Sequence, residues 1–179
     1  MTESGLCIYF AKFVRYKLFI HKPCAMKGRP TLKETMLKLR SFCAARERSH
    51  KEVRTKLLGM HIYGSDLEEI ISQLISDGFL NEERFARGYA SGKFRISKWG
   101  RNKIAYGLRS QNVADYSIDK GLQEIDEEEY LSTLRELIER HLKGNHKFEA
   151  KQKTVAAMQR KGFETELILN VIKDLKKER

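Results

Sequence analysis

The sequence predicts an all-α protein of tandem three-helix repeats: three units, about nine helices, in an elongated curved array. Three observations carry that prediction. Residues of like character recur fifty positions apart at Lys103/Lys153, Leu108/Met158, Val113/Phe163, Ile118/Ile168 and Leu122/Ile172. An earlier copy places Val53 and Leu57 fifty-one residues before Ile104 and Leu108, and Ile70 and Leu74 forty-eight before Ile118 and Leu122; three extra residues therefore fall in its turn, near Ile62, Tyr63 and Gly64. Both prolines, Pro23 and Pro30, lie near the N-terminus, and β-branched runs are scarce. A repeat of this period denotes units that bury their faces against neighbours and offer an extended surface to a large partner, rather than a catalytic cleft.

The elements follow from helix punctuation. Residues 1–30 read as an N-terminal extension, outside the functional unit or poorly ordered. Their aromatic stretch is broken by Lys12, Arg15 and Lys17, too soon for a membrane span or a secretory signal. Thr31 with Glu34 forms a capping box that opens the first helix, with Met36, Leu37, Leu39 and Cys43 as its apolar positions. Ser49 with Glu52 opens the second, which stops at Gly59, and Ser65 with Glu68 reads as a third box before a helix stopped by Gly78. These helices make repeat 1, residues 31–80. Asn81 caps the first helix of repeat 2 (81–125), followed by helices near 98–111 and 115–124. Asp126 with Glu129 opens repeat 3 (126–179), whose first helix carries Leu131, Leu134, Leu137, Ile138 and Leu142 and ends at Gly144. Helices near 147–161 and 165–177 complete it. Asn112 and Gly162 suit the left-handed conformation that ends a helix, and Asp115 and Thr165 read as the next helix starts.

The net charge of +11 is unevenly spread: residues 1–34 hold seven Lys/Arg against Glu3 and Glu34. From Arg84 to Ala114 no Asp or Glu occurs, while eight Lys/Arg alternate with Phe85, Tyr89, Phe94, Trp99 and Tyr106. Such a stretch suggests a surface facing phosphates or an acidic protein, with the aromatics, Trp99 included, in the core. The acids Glu124 and Asp126 to Glu129 suit the helix start on which they fall, and adjacent helical residues do not converge on a metal. Catalytic motifs are missing. The string Gly88 to Phe94 is one residue short of a phosphate-binding loop and puts Phe94 where a hydroxyl belongs; His141 and His146 are wrongly spaced for a helical metal pair. No enzyme, cofactor or metal site is expected. Three cysteines, Cys7, Cys24 and Cys43, without Cys-x-x-Cys spacing fit a reducing cytoplasm.

Four strings resemble the RecX family of bacterial regulatory proteins: Cys43–Leu58 (CAARERSHKEVRTKLL), Asp77–Tyr89 (DGFLNEERFARGY), Lys98–Val113 (KWGRNKIAYGLRSQNV) and Lys151–Phe163 (KQKTVAAMQRKGF). They contain the Arg46-Glu47-Arg48-Ser49 run, Gly78-Phe79-Leu80-Asn81 with Arg84-Phe85-Ala86, Gly100-Arg101 with Lys103-Ile104, and Lys161–Phe163. All occur in the family's order over roughly residues 35–175; residues 1–30 match nothing in it. The resemblance implies tandem three-helix repeats and a negative regulator of homologous recombination. Such a protein binds the RecA filament on single-stranded DNA, lies in its groove, and lowers its ATPase and strand-exchange activity.

Expected contact residues are Arg46, Arg48, Lys51 and Arg54 in repeat 1, and Lys93, Arg95, Lys98, Arg101 and Lys103 in repeat 2. Lys151, Lys153, Arg160 and Lys161 complete the set in repeat 3. Arg84 and Phe85 are expected to fix the junction between units. Reversing Arg95, Lys98 and Arg101 to Glu should leave helical content intact. Two other readings stay open: a helical repeat protein that binds single- or double-stranded DNA directly without RecA, and an adaptor that binds only protein. A monomer with no membrane association is the default.

Overall fold

The computed structural model describes residues 31–142 and 148–177; the extension over residues 1–30, the helix stop at Gly144 and His146 lie outside them. Among the described residues are nine helices and no strand: α1 Leu32–Ala44, α2 His50–Leu58, α3 Gly64–Ser76, α4 Glu82–Ser97, α5 Arg101–Ser110, α6 Asp115–Leu122, α7 Glu127–Leu142, α8 Phe148–Lys161 and α9 Thr165–Lys177. The fold is all-α, and the helices fall into three successive triplets.

The turn between the second and third helix is built alike in each triplet. A left-handed residue, His61, Asn112 or Gly162, ends the second helix. The next residue, Ile62, Val113 or Phe163, is buried, and its amide donates to the carbonyl of Leu57, Leu108 or Met158. This is the six-to-one bond of a Schellman cap with its apolar plug. The three extra residues of the first triplet are taken up where α3 starts, and α3 also runs two residues further at its end, so that it is thirteen residues long against eight for α6.

Both the Thr31/Glu34 and Ser49/Glu52 capping boxes form. Asn81 Oδ1 accepts from the Arg84 amide at 2.8 Å, and Asp126 Oδ1 from the Glu129 amide at 2.8 Å. Three expected starts differ. The Ser65/Glu68 box is not made: α3 begins at Gly64 behind Tyr63, with no side-chain cap, and Glu68 instead takes a two-pronged bond from Arg54. Asp115 is the first residue inside α6, not its cap, and pairs with Arg109 at 3.1 Å. The cap position is Ala114, whose amide donates to the Glu82 carboxylate. Thr165 likewise opens α9 from inside, its hydroxyl accepting from Gln159 Nε2 at 2.9 Å.

Burial divides the core in two. Leu39, Val53, Leu57, Ile70 and Leu74 anchor a cluster confined to the first triplet. Phe94, Ile104, Leu108, Tyr130, Leu134, Phe163 and Ile168 belong to one continuous cluster shared by the second and third. Leu37 and Leu131, expected on apolar faces, are exposed. Phe85 is core to the larger cluster, its ring tilted against that of Tyr89 at 5.9 Å. Arg84 lies at the boundary with the first triplet: its guanidinium reaches Glu47 at 2.6 Å and the Gly78 carbonyl at 3.0 Å.

The second and third triplets join backbone to backbone. The Gly100 amide donates to the Lys161 carbonyl at 2.8 Å, and the Asn102 amide to the Gly162 carbonyl at 3.1 Å. The unpaired first-turn donors of α5 thus meet the unpaired last-turn acceptors of α8. A Cβ on Gly100 would collide with the Gly162 carbonyl, and one on Gly162 with Lys103. Beside this crossing the fully buried Tyr130 hydroxyl accepts from the Arg101 amide at 3.1 Å and donates to Glu164 at 2.6 Å. Its ring lies between Phe94 (5.7 Å) and Phe163 (5.1 Å).

Gly100→Ala is expected to lower stability by about 1–3 kcal/mol, the usual cost of overpacking, read from the urea midpoint. Tyr130→Phe should cost about 1–3 kcal/mol at neutral pH by orphaning the Arg101 amide and Glu164. Burial, helped by the Glu164 bond, raises the Tyr130 phenol above its ordinary value. A raised pKa contributes stability that is complete below the unfolded value and is lost as pH climbs past it. The gap between wild type and Tyr130→Phe should therefore narrow above about pH 10, by up to about 1.4 kcal/mol per pH unit, in denaturation series run in parallel.

Candidate functional site

Charge is sorted by helix position. The second helices α2, α5 and α8 hold ten Lys/Arg (Lys51, Arg54, Lys56, Arg101, Lys103, Arg109, Lys151, Lys153, Arg160, Lys161) against Glu52 and Glu149. The third helices α3, α6 and α9 reverse the balance, with four Lys/Arg against seven Asp/Glu. The second helices also follow one another end to end. The N-terminus of α5 meets the C-terminus of α8 through Gly100 and Gly162, and Lys103 Nζ adds a bond to the Arg160 carbonyl at 3.3 Å. In corresponding places the N-terminus of α2 meets the C-terminus of α5. There Ser49 Oγ donates to Gln111 Oε1 at 3.1 Å and Lys51 Nζ to the Ser110 carbonyl at 2.7 Å. Each joint sets the positive end of one helix dipole against the negative end of another. The result is one basic line, α2–α5–α8.

The thirteen expected contact residues divide by chemistry. Among the described residues, five of the six arginines are already matched to carboxylates. Arg46 and Arg48 pair with Glu52, Arg54 with Glu68, Arg95 with Glu129 at 4.0 Å, and Arg101 with Glu127 at 2.6 Å. The acid-free run of sequence is therefore not acid-free in space. Glu47, Glu83, Glu124, Glu127 and Glu129 come to it from flanking segments, and Arg87 alone meets two of them. Arg48 further covers the Phe42 ring at 3.8 Å, and Arg101 the Tyr130 ring at 4.3 Å.

The lysines hold no carboxylate. Lys51, Lys93, Lys98, Lys103, Lys151, Lys153 and Lys161, with Arg160, form no ion pair among the described residues. Lys93 and Lys103 flank the half-buried Trp99 at 4.8 and 4.6 Å, which packs against the larger core cluster. Lys51, Lys103, Lys151, Lys153, Arg160 and Lys161 lie on the α2–α5–α8 line; Lys93 and Lys98 lie on α4 and at its left-handed end.

Two open grooves lie on this line. One, of ≈ 530 Å³, lies where α2 meets the end of α5 and is lined by Phe42, Thr55, Gly59, Met60 and Gln111, with Lys51 and Lys56 as its cations and Glu52 as its carboxylate. The other, of ≈ 700 Å³, is lined by His141, Lys153, Ala156, Gln159 and Arg160. At the equivalent place on α5, Tyr106 stands out instead, 75% exposed. Tyr106 is therefore not in the core, the position expected for it with the other aromatics; its place three residues after Lys103 and two after the buried Ile104 puts it on the face of the helix opposite Ile104. Among the described residues no cluster of His, Cys, Asp or Glu is arranged to hold a metal, and no helix is long and apolar enough to cross a membrane.

A tandem array of three-helix units whose basic second helices follow one another end to end defines a helical-repeat protein. Comparison with known proteins makes this specific. The family descriptions "RecX, second three-helix domain" and "RecX, third three-helix domain" match residues 81–122 and 127–172. The chain is 32% identical over 130 residues to the regulatory protein RecX of Lactobacillus johnsonii, covering 71% of this chain and 48% of that one. It is 27% identical over 142 residues to that of Bacillus mycoides, covering 78% and 53%. The crystal structure of RecX from Lactobacillus salivarius superposes with a TM-score of 0.74 at 20% identity, over 81% of this chain and 96% of that one. The chain belongs to the RecX family. It spans about half the length of the curated relatives it matches.

The division of cations has a direct test. Replacing Lys151, Lys153 and Arg160 together by Gln should move the unfolding free energy by less than about 0.5 kcal/mol, as for surface sites without partners. Arg101→Glu, which sets a carboxylate beside Glu127 and the Tyr130–Glu164 bond, should cost about 1–3 kcal/mol. Circular dichroism through a urea series measures both. A triple reversal that includes Arg101 therefore perturbs the fold as well as the surface.

Proposed function

We propose that this protein regulates homologous recombination negatively by binding the RecA filament on single-stranded DNA and restraining its ATPase and strand-exchange activity. Family membership supports RecA as the partner, and the relatives are regulatory proteins by name. The observation that carries the reading to this chain is the α2–α5–α8 line of lysines that, among the described residues, hold no carboxylate. A filament presents phosphates and acidic protein surface at regular intervals, and a continuous basic line can meet both without reading sequence. The end-to-end joints hold its charges in fixed register. Bridging neighbouring protomers then opposes the conformational changes that accompany nucleotide turnover. No step of this mechanism requires a catalytic group or a cofactor.

Direct DNA binding without the recombinase is the second reading. The grooves at Lys51/Lys56 and Lys153/Arg160 favour it, because each is open, presents two cations and is placed alike on its repeat.

The test is single-stranded-DNA-dependent ATP hydrolysis by the cognate RecA with the full chain added at substoichiometric and equal amounts. Suppression that weakens as salt rises is the expected outcome. The Lys151, Lys153, Arg160→Gln variant should need several-fold more protein for the same suppression. Absence of suppression, together with salt-sensitive binding to bare DNA, would replace this reading with direct DNA binding.

A further inference from the structure

We infer that α5 carries a base-stacking site for single-stranded nucleic acid, with Tyr106 as the stacking residue. This deepens the proposed function and rests on it only in taking nucleic acid as a partner. Tyr106 leaves three quarters of its surface in solvent, and among the described residues its hydroxyl has no partner. It serves no packing role that burial would reveal. Its own turn offers Asn102 four residues before and Arg109 three after, all three exposed on one face of α5.

Position distinguishes this tyrosine from other exposed side chains. The fifty-residue register puts Thr55, Tyr106 and Ala156 at one place on α2, α5 and α8. Thr55 and Ala156 line the two grooves, so Tyr106 stands on the same line between them. A strand whose phosphates follow Lys51, Lys56, Lys153 and Arg160 must pass α5, where an aromatic face is presented. Groove cations that track a backbone, with an aromatic on which a base stacks, are the usual parts of sequence-tolerant single-strand binding. Duplex DNA does not fit this arrangement, because its bases are already stacked.

A protein contact is the weaker alternative for this residue. Binding hot spots are well packed and fully desolvated, and burying Tyr106 that way would also strip water from Lys103 and Arg109 near it in its helix. Tyr116, exposed on α6, is a useful contrast. It is flanked by Asp115 and Asp119 and carries Lys120 over its ring at 5.6 Å, a setting that repels phosphate. Arg109 does pair with Asp115, but both side chains are more than half exposed, and such pairs are weak enough for a phosphate to displace.

The experiment is fluorescence anisotropy of the full chain, without recombinase, on labelled oligo(dT) and on an abasic strand of equal length. The wild type should bind oligo(dT) more tightly than the abasic strand. Tyr106→Ala should weaken oligo(dT) binding about five-fold or more and leave abasic binding unchanged. Tyr106→Phe should bind like wild type, and all three forms should melt alike. Equal binding of oligo(dT) by wild type and Tyr106→Ala would overturn the inference, as would equal losses on both strands or no binding by the wild type. The ATPase assay separates the two levels. A Tyr106→Ala variant that loses suppression but keeps oligo(dT) binding makes Tyr106 a protein contact and sinks the stacking site alone. Tyr106-dependent oligo(dT) binding by a protein that leaves ATP hydrolysis untouched sinks the recombinase reading alone.

Discussion

Gly100 and Gly162 bring two backbones closer than any side chain would permit, and the rest of the molecule from α4 onward is arranged around that approach. The crossing lets α5 borrow its missing cap from α8: the acceptors that a Ser or Asp would supply locally are the carbonyls of Lys161 and Gly162. It also fixes Arg101 over Tyr130, and Tyr130 between Phe94 and Phe163, so that a single aromatic column ties α4, α7 and the end of α8 together. A buried hydroxyl in that column must satisfy both its donor and its acceptor, and it does so with one group from each side of the joint, the Arg101 amide and Glu164. Hydrophobic continuity between the second and third triplets follows from this geometry.

The first triplet is attached by the same topology with different materials. Ser49 occupies the place of Gly100, and Asn112 that of Gly162. Side-chain bonds from Ser49 and Lys51 replace the amide-to-carbonyl bonds, and the Arg84–Glu47 pair lies beside them. No buried side chain of the first cluster enters the second. An exposed ion pair contributes no more than about 1 kcal/mol, and salt weakens it. The two joints therefore have the same direction and are made of different bonds.

How far the sequence discloses this depends on the reach of each interaction. The Thr31/Glu34 and Ser49/Glu52 boxes are legible because donor and acceptor lie three residues apart. Ser65/Glu68 has the same letters and fails because Glu68 is claimed by Arg54, fourteen residues away. The left-handed stops at Asn112 and Gly162 are conventional residue choices, whereas His61 in the same role is recognisable only by register with them. The Gly100–Gly162 approach spans sixty-two positions, and no local rule marks either glycine as a contact. The run from Arg84 to Ala114 misleads for the same reason: its arginines are neutralised by acids that precede or follow it. Tyr106 was legible in principle, since helical periodicity alone sets it opposite Ile104 and Leu108.

The division between arginine and lysine has a physical cause. Arginine's planar fork can hold a carboxylate and cover a ring at once, as Arg101 does with Glu127 and Tyr130. That suits joints whose geometry must persist. A lysine ammonium is a mobile, strongly hydrated point charge that gives up little when its partner changes. In the proposed filament contact, such charges tolerate displacement along a phosphate backbone. The helix ends are fixed by both kinds of cation, Arg101 through Glu127 and Tyr130, and Lys51 and Lys103 through backbone carbonyls. A surface map drawn from net charge alone would miss this distinction, since it counts Arg54 and Lys153 equally although, among the described residues, only the first is matched to a carboxylate.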